Sequence, residues 1–119
     1  MPGDEHSQTP IAVVKTYDLA LWLLPKVEKF ARSYRFTVGD RLANAALDLL
    51  LLLVEAAYST RKSELLDQAH QRTNGLRYML RLAKDLKLLT LDSYGFAAER
   101  LDEIGRMIGG WQKSVRGRG

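Results

Sequence analysis

The stretch AALDLLLLLVEAA, Ala45 to Ala57, constrains this chain more than any other. Wrapped at helical pitch, its only charges, Asp48 and Glu55, lie seven residues apart on one narrow stripe, which Arg41 extends backwards at the same spacing. The rest of the cylinder is apolar. A surface helix of an ordinary domain buries only part of its perimeter, so this one requires cover from several sides. Partner helices within the chain supply part of that cover, and other copies of the chain are expected to supply the rest. A membrane span is a poor alternative. The longest apolar runs, Leu19 to Leu24 and Leu49 to Val54, fall far short of the roughly 20 residues that cross a bilayer.

A length of 119 residues suits one domain with one core. The absence of cysteine removes disulfide scaffolds, thiolate nucleophiles and cysteine-ligated metal centres. The start, MPGDEHSQTP, lacks a basic segment followed by an apolar one and does not read as a signal peptide, so a cytoplasmic location is expected. We read residues 1–10, with His6, as a flexible leader, 11–115 as a helical bundle and 116–119 as a basic tail.

Helix one begins near Ile11, with Val13, Tyr17, Ala20, Leu24, Val27 and Ala31 as its seam and a kink expected at Pro25. Trp22 falls on the polar face, where it either covers aliphatic stems or anchors an interface. Ser33 to Phe36 reads as a short connector. Thr37-Val-Gly-Asp40 resembles a capping box that opens helix two, roughly Val38 to Tyr58. Ser59 and Thr60 are cap candidates for helix three, whose inward face is Leu65, Ala69, Leu76, Met79, Leu80, Ala83 and Leu86, interrupted at Arg72 and Thr73. Thr90, Asp92 and Ser93 offer caps for helix four, with the seam Ala97, Leu101, Ile104, Ile108 and Trp111 and an end near Val115. Gly105, Gly109 and Gly110 lie among these positions; the helix is expected to run through them, with the glycines admitting a close neighbour. The fold class is all-α, an antiparallel up-down-up-down four-helix bundle, because no alternating β-branched run competes.

Net charge is +4 and the pI about 9.5. From Arg106 to Gly119 there are four basic residues and no acid, and from Arg72 to Lys87 five basics against Asp85 alone. On helix three, Arg77, Arg81 and Lys84 share a face with His70 and Asn74, with Tyr78 beside them; such a row is either a solvated face or a phosphate-facing one. We take Arg72, Arg77, Tyr78, Arg81, Lys84, Lys113, Arg116 and Arg118 as candidate nucleic-acid contacts. Trp22, Leu51, Leu53, Gly105 and Gly109 are candidate contacts between copies. No catalytic residue, metal ligand or cofactor is expected. His70 and Asp67 form only a solvated i, i+3 pair, Glu-x-x-His is absent, and neither glycine-bearing segment has the lysine of a phosphate loop.

Three stretches, LALWLLPKVEKFARSYRFTVGDRL (Leu19 to Leu42), LRYMLRLAKDLKLL (Leu76 to Leu89) and IGRMIGGWQKS (Ile104 to Ser114), together resemble the accessory variability determinant (Avd) family of diversity-generating retroelements. That family sits in a wider group of four-helix-bundle proteins that includes those encoded in ribosomal-RNA intervening sequences. The resemblance implies a non-catalytic, basic subunit that forms a homopentameric barrel, binds RNA or DNA and associates with a reverse transcriptase. In such systems a template-repeat RNA is copied with errors at adenines, and the cDNA diversifies a variable-protein gene. An interaction protein of the intervening-sequence type, without a reverse-transcriptase partner, is the alternative that the same fold implies.

Overall fold

The structure, a computed structural model, describes residues 9–117. Every regular element among them is helical: α1 (Ile11–Glu28), a single turn α2 (Arg32–Tyr34), α3 (Asp40–Tyr58), α4 (Lys62–Asp85) and α5 (Leu91–Gly117). A π-helical turn, Arg35–Gly39, joins α2 to α3. The α3 helix packs on α1 and α4, and α5 closes the bundle by packing on α4 and α1. Its 27 residues account for most of the 47 Å long dimension. No helix among the described residues is long and apolar enough to cross a membrane.

The core runs along Leu23 of α1, Leu42, Leu49 and Leu53 of α3, Leu66, Leu76 and Leu80 of α4, and Leu101, Ile104 and Ile108 of α5. The α5 seam is the expected one through Ile108, and Trp111 packs partly buried against it. In α1 Ala20 and Val27 of the expected seam are buried, but the rest of the buried face is shifted by one residue to Ala12, Thr16, Leu19 and Leu23, while Tyr17 is 56% exposed and Ala31 lies beyond the helix. An apolar-rich helix offers two neighbouring seams of equal period. The buried one passes through a threonine because Thr16 Oγ1 donates to Ala12 O at 2.7 Å, which satisfies the hydroxyl inside the core. Thr73 behaves alike, donating to Ala69 O at 2.9 Å, so it continues the α4 seam rather than interrupting it.

Connections hold further corrections. The α1 helix continues past Pro25, which is exposed, and ends at Glu28. Thr37 does not cap α3: its hydroxyl donates back to Tyr34 O at 3.3 Å, inside the π turn. The chain enters α3 already helical at Gly39, so side-chain capping of the kind expected from Thr37 is not used. At the next connection Ser59 Oγ accepts from the Arg61 N–H at 2.8 Å, and Lys62 Nζ donates to Ala56 O and Ala57 O at 2.9 and 3.1 Å. The lysine thereby closes the carbonyl end of α3. Thr90 does cap α5, accepting from the Ser93 N–H at 3.0 Å. The α4 helix ends with Lys87 in the left-handed region at φ 63°, and the Leu88 N–H reaches back to Ala83 O at 2.8 Å.

Candidate nucleic-acid and subunit-contact surfaces

The basic row of α4 does not point in one direction. Arg77 leans onto α5 and pairs with Asp102. Its Nη2 lies 2.7 Å from where a Cβ on Gly105 would stand. The close neighbour that Gly105 admits is therefore the arginine of the adjoining helix. Lys84 also turns toward α5, with Nζ 4.9 Å from the Tyr94 ring centroid and 3.3 Å from Asp85 Oδ1. Arg72 leans the other way, toward Asp48 of α3 at 3.4 Å. Arg81 forms no ion pair among the described residues, and Tyr78 beside it is 71% exposed.

On α5, Arg116 reaches Asp67 Oδ1 at 2.8 Å, and Gln112 donates to the same oxygen at 2.8 Å. The Asp67 carboxylate is thus engaged by α5 rather than by His70, which is exposed. Lys113 is exposed and belongs to the helix, which continues to Gly117. Arg118 and His6 lie outside the described residues. Of the eight candidate contacts, Tyr78, Arg81 and Lys113 are the most available to a ligand. The others that are described are held in ion pairs that a phosphate would have to displace.

The candidate subunit contacts separate in the same way. Leu51 is 64% exposed, but Leu53 is 0% exposed and fills the protomer's own core, two residues away on the opposite side of α3. Leu53 therefore has no surface to offer a second copy. Trp22 stacks on Phe96 of α5, with ring centroids 4.8 Å apart, and Lys26 Nζ stands 5.1 Å above it. It is a half-buried clasp between α1 and α5. Gly109 has open space around it. Further exposed apolar side chains include Ile11, Val14, Tyr17 and Leu21 on α1, Phe36 on the π turn and Tyr58 on α3; of these, Tyr17 belongs to the seam expected to be core. Ile11, Val14 and Leu21 recur at helical spacing beside the expected seam, and that second apolar stripe is their signal in the sequence.

The glycines give a test of these placements. Gly75→Ala, in α4 with nothing within 4 Å, is expected to raise stability by about 0.5–1 kcal/mol. Gly105→Ala gains the same backbone term but must displace the Arg77 guanidinium, so its gain is smaller or reversed. Urea unfolding of the two variants measures the difference, and an equal gain from both would contradict the Arg77 contact.

No curated protein and no solved structure matches the chain. A family model described as bAvd-like matches residues 11–115, from the first residue of α1 through the Trp111 turn of α5. That match takes in all four long helices and each of the three stretches on which the sequence resemblance rests, and the chain accordingly belongs to the bAvd-like family.

Proposed function

We propose that this protein is a non-catalytic accessory subunit of a diversity-generating retroelement, which associates with the reverse transcriptase and its template RNA and supports mutagenic cDNA synthesis and retrohoming. The observation that carries this reading is the family match over residues 11–115. The bundle is read as antiparallel and up-down-up-down. Cross-helix pairs support that order: Lys15 with Glu103 and Trp22 with Phe96 between α1 and α5, and Arg116 with Asp67 and Arg77 with Asp102 between α5 and α4. In each pair of helices, rising numbers on one meet falling numbers on the other.

Nucleic-acid binding is supported by the exposed cations Arg81 and Lys113 and by the open face of Tyr78. Assembly as a homopentamer, the number implied by the resemblance, is supported by the uncovered apolar side chains of α1 and α3. Val14, Tyr17, Leu21, Leu51 and Tyr58 each face water in the single protomer. Reconstitution tests the reading: the purified protein, added to the retroelement's reverse transcriptase and template-repeat RNA, is expected to bind both and to increase cDNA yield. If the polymerase makes the same cDNA without it, the accessory role is wrong and an interaction protein without a polymerase partner takes its place. A reverse-transcriptase gene and an adenine-differing repeat pair beside this gene give an independent check.

A further inference from the structure

The segment from Lys26 to Arg41 holds five cations, Lys26, Lys29, Arg32, Arg35 and Arg41, against two acids, Glu28 and Asp40. None of the five joins an ion pair among the described residues, whereas Arg72, Arg77 and Lys84 of α4 and Arg100 and Arg116 of α5 do. Most of the chain's net +4 is therefore concentrated, uncompensated, at the α1–α3 connection. Such a concentration attracts a polyanion and costs self-repulsion without one.

The backbone there is specialised. A π-helical turn is uncommon and occurs frequently at functional positions. This one, Arg35–Gly39, presents Phe36 to solvent at 68% exposure, the Arg35 guanidinium 5.9 Å from its ring centroid. The Arg35 Nε is buried with no hydrogen-bond partner, a donor left without an acceptor. The turn is also held firmly. A Cβ on Gly39 would come within 3.1 Å of Val27 Cγ1 and 3.4 Å of Phe30 Cδ2, so the turn sits tightly on the end of α1, and Phe36 is presented by a preformed surface. Nearby aromatic faces are already covered: Trp22 by Lys26 and Phe96, and Phe96 by Arg100 at 4.5 Å. Phe36 carries the Arg35 guanidinium at a longer 5.9 Å and, at 68% exposed, leaves most of its ring accessible.

Unpaired cations beside an open aromatic ring are the combination that binds a single strand, because phosphates take the charge and an unstacked base takes the ring. A duplex satisfies the cations but keeps its bases stacked. We infer that the α1–α3 connection is a binding site for single-stranded nucleic acid, in which Phe36 stacks on an unpaired base and Lys29, Arg32 and Arg35 hold the flanking phosphates. This rests on the nucleic-acid-binding reading above and assigns it a site on residues separate from the α4 row.

The test measures binding of a fluorescent oligouridine and of a duplex of equal length by anisotropy across a salt series. Phe36→Ala is expected to weaken the single strand about tenfold while leaving the salt slope and the duplex affinity unchanged, with Phe36→Trp restoring the loss. Lys29→Glu with Arg32→Glu is expected to weaken both probes and to flatten the slope. Since all three side chains are exposed, melting temperature should hold and serves as the folding control. Wild-type protein that binds neither probe overturns this site and the broader reading together. Wild-type binding that these variants leave intact overturns the site alone. A Phe36→Ala protein that changes assembly size with unaltered oligouridine affinity makes the ring a subunit contact and also overturns the site.

Discussion

Leu53→Asp is expected to abolish the folded protomer, whereas Leu51→Asp is expected to fold and to lose its assembly. The two leucines are neighbours on α3 in sequence, but one is 0% and the other 64% exposed. At position 53 the substitution removes a leucine from the packed core and leaves a carboxylate there with no partner. Loss of the packing alone costs about 2–5 kcal/mol, and the stranded charge adds to it. A domain with roughly 5–15 kcal/mol of total stability has little left after that. At position 51 the carboxylate reaches water in the free protomer, so its cost there is small, about 0.5 kcal/mol or less. Its cost arises when a second copy covers it. Circular dichroism should therefore separate Leu53→Asp from wild type, and sedimentation should separate Leu51→Asp. A wild-type chain that sediments as a monomer at micromolar concentration ends the assembly proposal, and a Leu51→Asp chain of wild-type size removes Leu51 from the contact.

The second large effect is electrostatic. Arg81→Glu combined with Lys113→Glu is expected to weaken RNA and DNA binding at least about tenfold at moderate salt, with no selectivity between single strand and duplex. Each phosphate contact that is lost flattens the dependence of log affinity on log salt by about 0.9 for a duplex. Two such contacts per protomer are repeated in every copy of an assembly, so the loss multiplies where several protomers share one strand. Arg81 and Lys113 suit this test better than Arg77. Reversing Arg77 would set a glutamate against Asp102 and disturb the packing over Gly105, mixing a structural effect with a binding one. Neither Arg81 nor Lys113 forms an ion pair among the described residues, so unfolding should be unaltered. Unchanged affinity and salt slope in the double variant would reduce these cations to a solvated surface.

Helix number and helix composition were legible in the sequence because they depend on local periodicity. The α5 seam from Ala97 to Ile108 repeats with charged residues or glycine at most positions between and only Ala98 and Met107 apolar, which leaves one dominant phase. In α1 almost every turn offers two apolar positions. Periodicity then fixes the helix but leaves its rotation open, and burial chose Ala12, Thr16, Leu19 and Leu23 over Val13, Tyr17 and Leu24. A hydroxyl that bonds to its own helix is invisible to a hydrophobic count. Thr16 and Thr73 were passed over for that reason.

The sequence by itself determined an all-helical chain, an α3 apolar over most of its perimeter, and the three stretches that fall within the bAvd-like family match. Each of these is a property of neighbours along the chain. Tertiary structure alone decided which leucine of α3 faces inward, which cations are consumed by carboxylates on adjoining helices, and that the connector after α1 is a π turn presenting Phe36. The pairs Arg72–Asp48, Arg77–Asp102 and Arg116–Asp67 join residues 24 to 49 positions apart. Whether a cation is free or spent is set by which helix packs beside it, and spacing along one helix carries no record of that choice.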